Sequence, residues 1–144
     1  MTGRPRKTVG VFNASDDTVE MLVEALTLRG HHAVGGSVDS VKSGQSDLIA
    51  FLDTHRPDAM IWDISPAYDR NWTFAKLVRA VLNVYRCSLV LTTTNTQQLD
   101  RAIGSESGAI EIVGKPYDIE AIADRVDAVM QRAADAGPRA VDRP

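Results

Sequence analysis

The sequence holds a single cysteine, Cys87, in 144 residues. An internal disulfide is therefore excluded, and a chain of this length can bury a core without covalent staples. Such cysteine usage fits a reducing compartment, and a cytoplasmic location is expected. No run approaches the roughly 18–20 consecutive apolar residues of a membrane span, so no membrane association is expected. The start, Met1 to Lys7, is basic, yet no apolar segment of signal-peptide length follows it. An excess of positive charge is also missing. Sixteen Lys and Arg stand against nineteen Asp and Glu, a net charge of −3. Nucleic-acid binding through a basic surface is therefore not expected. A Gly-x-Gly-x-x-Gly fingerprint is absent; Gly10 and the Gly35-Gly36 pair do not form a dinucleotide cradle. No internal repeat or second domain is visible.

What is present is an alternation of short β-rich runs with helical patterns. Thr8 to Phe12 reads as a first strand. Ser15 caps the helix that follows, with Asp16 and Asp17 in its first turn, where carboxylates favour the helix dipole. Val19, Leu22, Val23 and Leu26 share one face, and Gly30 is a stop signal. His32 to Val34 is a weak second strand. Leu48 to Leu52 marks a second helix that ends before Pro57. Asp58 to Trp62 is apolar along its length after the first residue, as in a parallel strand buried on both faces, and it ends at Asp63. Ile64 to Asn71, with Pro66, reads as a loop. Phe74, Leu77, Val78, Val81, Leu82 and Tyr85 define a third helix. Ser88 to Leu91 is a fourth strand, ending in Thr92 to Asn95. Leu99 and Ile103 suggest a short helix, and Ala109 to Val113 a fifth strand. Asp118 caps a last helix with Ile119, Ile122, Val126 and Val129 on one side. The chain is thus divided into a flexible start (1–7), one domain (8–133) and a mobile tail (134–144).

Strands alternating with helices imply right-handed crossovers and an α/β fold: a parallel sheet with helices on both faces. Ligands in such sheets sit beyond the carboxyl ends of the strands. The residues to inspect are therefore Asn13-Ala14, Asp63, Thr92-Thr93 and Lys115-Pro116. Asp63 suits a nucleophile towards a phosphoryl donor, giving an acyl phosphate. That chemistry needs cationic help, which Lys115 supplies, and a hydroxyl from Thr92 or Thr93. A bland reading stands beside it, in which Asp63 only caps a turn. His31-His32 reads as a surface pair, since neighbours on a strand point to opposite faces. Cys87 reads as a packing residue. Tyr68 and Trp72, near the loop that holds Pro66, read as packing residues first and as a cover for the pocket second.

The order of these strand ends resembles the response-regulator receiver domain family over roughly residues 7–133. The residues that carry the resemblance are Gly30, Pro57-Asp58, Asp63, Gly108-Ala109 and Lys115-Pro116-Tyr117. The resemblance implies a flavodoxin-like (βα)5 three-layer sandwich with sheet order 2-1-3-4-5, a fold the family exemplifies. It implies phosphorelay signalling of the two-component type, with Asp63 as phosphoacceptor, Lys115 as the phosphate-pairing lysine and Thr92 as the switch hydroxyl. Thr93 competes for that last role. A cis bond is expected at Lys115-Pro116. The implied partners are a histidine kinase or phosphotransfer protein and a downstream protein, met through the fourth helix, fifth strand and fifth helix of the family pattern. A stand-alone signalling module is expected, not an enzyme.

The sequence also departs from the family. The acid pair that usually holds magnesium falls on Asn13 and Ala14. Asp16 and Asp17 come later, as helix-start residues, or with Asp17 reaching inward as a substitute ligand. Magnesium prefers oxygen ligands and commonly one or two carboxylates. With Asp63, Asn13 and Asp17 as the available ligands, weak magnesium binding is expected. Pro66 lies three positions after Asp63 where the family has its proline at four, Arg70 replaces a glycine, and Ile112 stands where a switch aromatic is usual. Two alternatives remain: a phosphorylation-independent pseudo-receiver that serves as a protein-interaction module, and a binder of small anions or nucleotides.

Overall fold

The computed structural model describes residues 7–93, 95–103, 111–114 and 118–136. In chain order the elements are β1 (Thr8–Asn13), α1 (Asp16–Leu28), β2 (His32–Ser37), α2 (Val38–Ser43), α3 (Leu48–His55), β3 (Ala59–Ile64), α4 (Tyr68–Val84), β4 (Ser88–Thr93), α5 (Thr96–Ile103), β5 (Glu111–Gly114) and α6 (Ile119–Asp135). The strands form one sheet of order β2-β1-β3-β4-β5, and every neighbouring pair is parallel. This is the flavodoxin-like arrangement expected from the sequence.

Period-two alternation divides the core between the two faces of the sheet. Val9, Val11, Ala59, Ile61 and Val90 pack with Leu22 and Leu26 of α1 and with Ile122 and Val126 of α6. Phe12, Met60, Trp62, Ile64 and Leu91 pack with Leu52 of α3, Trp72, Val78 and Leu82 of α4, and Leu99 and Ile103 of α5. Each fully buried Leu, Ile or Val contributes about 1.5–3 kcal/mol from loss of water contact. The central strand β3 is buried over all six residues, which accounts for its nearly unbroken apolar sequence.

The helix starts follow local chemistry. The Ser15 hydroxyl accepts from the Thr18 N–H, and the Asp47 carboxylate accepts from the Ala50 N–H. Asp118 accepts from the amides of both Glu120 and Ala121. Gly30, just past α1, takes a left-handed φ of 90°, which a residue with a Cβ resists.

Several expectations are corrected. The second strand runs on from Val34 to Ser37, through the two glycines. A short helix, α2, follows it where none was expected; Ser37 caps it, and Gly44 ends it in a left-handed conformation. The segment read as a loop from Ile64 to Asn71 is shorter. Strand β3 includes Ile64, and α4 begins at Tyr68, because Tyr68, Trp72 and Ala75 already face the core at helical spacing. The last helix reaches Asp135, past the start of the tail read from the sequence. His31 precedes β2 and is 7% exposed, so the two histidines are not a surface pair. Tyr68, Trp72 and Cys87 are buried, as packing residues should be. Gly108-Ala109 and the cis bond expected at Lys115-Pro116 lie outside the described residues, as do 1–6 and 137–144.

Candidate functional site

The sheet register builds the site. Asp63 on β3 pairs directly with Thr92 on β4. Phe12 of β1 pairs with Trp62, so Asn13 and Asp63 follow side by side on adjacent strands. Alternation puts all three on the face of Val11, Ile61 and Val90, the face covered by α1 and α6. Asn13, Asp63 and Thr92 therefore form a row across three neighbouring strands at their carboxyl ends. Thr92 in turn pairs with Val113 of β5, two residues before Lys115. Lys115 itself lies outside the described residues.

Asp63 is 7% exposed and Thr92 is fully buried. A carboxylate so withdrawn from water needs hydrogen bonds. The Thr92 hydroxyl donates one to Asp63 Oδ1 at 2.6 Å. Thr93 is also buried, but it belongs to the opposite face, and its hydroxyl accepts from the Asn95 N–H at 3.3 Å. The two threonines are thereby distinguished: Thr92 touches Asp63, and Thr93 shapes the loop after β4.

Asn13 is 4% exposed. Its Oδ1 accepts from the Ser15 N–H at 2.9 Å, an Asx turn that leads the chain into α1. Its Nδ2 is buried and has no hydrogen-bond partner among the described residues. Asp16 and Asp17 occupy the first turn of α1 with exposed side chains.

The loop after Asp63 is tied down by a residue that sequence reading passed over. Asn71, in the first turn of α4, donates from Nδ2 to the Ser65 carbonyl at 2.7 Å. Its Oδ1 accepts from the Lys42 ammonium of α2. No motif announced this pair, because the one lies in an unexpected helix and the other in a supposed loop.

The donor set is a poor one for magnesium. The cation is commonly held through one or two carboxylates with further hard oxygens. Asp63 is the one carboxylate of the row, and Asn13 offers only a neutral amide oxygen that already accepts from the Ser15 amide. What Asn13 leaves over is a donor, not a ligand. Among the described residues no three His, Cys, Asp or Glu side chains cluster as a metal site.

A second polar cluster joins the end of α1 to α6. Arg29 bonds Glu120 at 2.6 Å, Asp124 at 2.8 Å and Asp127 at 2.9 Å, and His31 Nε2 meets Asp127 at 2.7 Å. The hydrogen bond to Glu120 is the largest of the effects that raise the Arg29 pKa, against the opposing effect of burial. Burial pushes Asp127 up, but its hydrogen bonds to Arg29 and His31 outweigh this and hold it below the usual carboxylate value. These groups brace two helices and are not part of the row at the strand ends.

No protein-family model matches the chain. The transcriptional regulatory protein AfsQ1 of Streptomyces coelicolor is 29% identical over 119 residues, 81% of this chain and 48% of that protein. The match thus spans about half the length of that relative. Solved structures resemble the fold. One described as a transiently phosphorylated switch in bacterial signal transduction has a TM-score of 0.68 at 20% identity, covering 90% of this chain and 98% of that one. The chemotaxis response regulator CheY4 of Vibrio cholerae has a TM-score of 0.64 at 20% identity, covering 86% and 98%. An atypical orphan response regulator, described as having a phosphorylation-independent regulatory mechanism, has a TM-score of 0.62 at 17% identity, covering 86% and 95%. The chain has the flavodoxin-like fold of response-regulator receiver domains.

Proposed function

We propose that the chain is an atypical receiver module of phosphorelay signalling, in which Asp63 accepts a phosphoryl group and output passes by protein contact. The observation that carries this reading is the placement of Asp63. A nearly buried carboxylate stands at the carboxyl end of the central strand with the Thr92 hydroxyl 2.6 Å away. In the reaction a carboxylate oxygen of Asp63 attacks the phosphorus of a phosphohistidine on a histidine kinase or phosphotransfer protein. The new O–P bond forms as the P–N bond breaks, and the imidazole leaves with the electron pair. The Thr92 hydroxyl then turns from the carboxylate to a phosphoryl oxygen. Lys115, carried over from the family resemblance, pairs with the added charge. No step is assigned to magnesium.

The reading is of a cytoplasmic signalling protein and not of an enzyme, with protein partners rather than nucleic acid or membrane. Among the described residues no helix is long and apolar enough to cross a membrane.

Acetyl phosphate tests the reading without a cognate kinase. Transfer forms the Asp63 O–P bond and releases acetate, so intact-mass measurement reads the result directly. One phosphoryl group is expected on the native chain and none on Asp63→Asn. A native chain that gains no phosphoryl group, from acetyl phosphate or from a phosphorylated kinase, overturns the reading.

A phosphorylation-independent interaction module is the second reading. Asn13 favours it, since an amide stands where the family resemblance implies an acid. The absence of any adduct, with partner binding unchanged in Asp63→Asn, supports that reading.

A further inference from the structure

We infer that the side-chain amide of Asn13 is a hydrogen-bond donor for the phosphoryl group on Asp63, so that this site takes an oxyanion without a divalent cation. The inference rests on the phosphoacceptor reading and deepens it.

The orientation of the amide is fixed. The Ser15 N–H points at one end of the Asn13 side chain, 2.9 Å away, so that end must be the oxygen. The reverse placement would set two donors face to face. Nδ2 is therefore the free end, and it is buried in a residue only 4% exposed. Buried donors are almost always hydrogen-bonded, so an unpartnered one calls for an explanation. Here the neighbour supplies it. Asn13 and Asp63 end adjacent parallel strands at one level and on one face. A phosphoryl group added to Asp63 brings acceptor oxygens to this row, where none among the described residues now meets Nδ2.

Charge decides between a donor and a metal ligand. An acid at position 13 would face the phosphoryl dianion and repel it unless a cation lay between them. An amide carries no such charge. It offers N–H groups to the oxyanion directly, in a crevice where neutral preorganised donors act strongly. Thr92 supplies a second neutral donor from the opposite side of Asp63. The row Asn13, Asp63, Thr92 is thus a nucleophile between two donors, and it offers magnesium a single carboxylate.

The test compares the full native chain with Asn13→Asp and Asn13→Ala, each exposed to acetyl phosphate in excess EDTA or in millimolar magnesium. The rate of phosphoryl gain is followed by intact mass, and circular dichroism confirms folding. The native rate should be the same in both buffers. Asn13→Ala should be slower in both, on the order of tenfold or more, as for loss of one oxyanion donor. Asn13→Asp should react in magnesium and lose at least about tenfold in EDTA. Thermal melting gives a readout free of phosphorylation: magnesium should raise the melting temperature of Asn13→Asp and leave the native chain unchanged. A native reaction that requires magnesium, native stabilisation by magnesium, or Asn13→Ala at the native rate overturns the inference alone. No adduct on any variant in either buffer overturns the phosphoacceptor reading and the inference with it.

Discussion

The hydroxyl of Thr92 and the carboxylate of Asp63 meet at 2.6 Å across the paired ends of two parallel strands. The contact is set by backbone register, since the two residues are direct partners in the ladder. A hydroxyl fully buried and a carboxylate nearly so satisfy each other there. Removing either partner leaves the other in a poor solvent.

Thr92→Val removes the donor at nearly constant volume. Asp63 Oδ1 then loses its bond from β4, and the unfolding free energy should fall by about 1–3 kcal/mol. Thr92→Ser keeps the hydroxyl and should lose less. Urea denaturation of both variants checks the order; a valine variant as stable as the native chain would show that the contact carries no weight.

Gly36→Ala should destabilise by about 1–3 kcal/mol through overpacking. A Cβ at Gly36 would lie 2.4 Å from Phe12 Cε2. The Phe12 ring has little room to yield, being 2% exposed and held edge-on against Phe51 at 5.0 Å. Thermal melting of this variant beside Gly44→Ala separates the causes. The second site has open space, and its cost is only that of a left-handed φ of 83°.

These same glycines show where sequence reading stops. Strands β1, β3 and β4 were legible because their apolar runs carry the signal themselves. In β2, only His32 to Val34 reads as a strand, and weakly. The glycines are there for a tertiary reason, because the Phe12 ring and the Val19 side chain occupy the space of their side chains. Likewise Pro66 signalled a loop, while the inward faces of Tyr68 and Trp72 extend α4 almost back to it. At the site, Asp63 and the threonine pair were legible from position alone. Which threonine touches the carboxylate was not, because spacing gives the end of a strand but not its register. The hydrogen bonding of Asn13 was illegible for a similar reason, since it depends on the turn into α1.

Acid should weaken the brace between α1 and α6. Burial alone would raise the Asp127 pKa, but hydrogen bonds to Arg29 and His31 hold it below the ordinary value. A carboxyl group depressed in the folded chain stabilises it above the unfolded value near about 4. That stability is lost as pH falls through the folded value. Asp127→Asn should therefore be less stable than the native chain at neutral pH, with the difference shrinking below about pH 4. Denaturation curves across this range check the sign; a constant difference at every pH contradicts it.

Asn71→Ala should loosen the loop beside Asp63. The Ser65 carbonyl loses its donor and the Lys42 ammonium loses its acceptor. The expected cost is about 1 kcal/mol, with faster amide exchange in the segment joining β3 to α4. Unchanged exchange there would show that the tether does not hold the loop.

The central claim is that Asp63 forms an acyl phosphate, and chemical trapping tests it most directly. Borohydride reduces an acyl phosphate at its carbonyl carbon and expels phosphate, which converts the aspartate to homoserine. The chain is treated with acetyl phosphate, then borohydride, and its peptides are sequenced by mass spectrometry. Homoserine at position 63, absent when acetyl phosphate is omitted, is the predicted result. Aspartate unchanged at position 63, or homoserine only at another acid, would contradict the account.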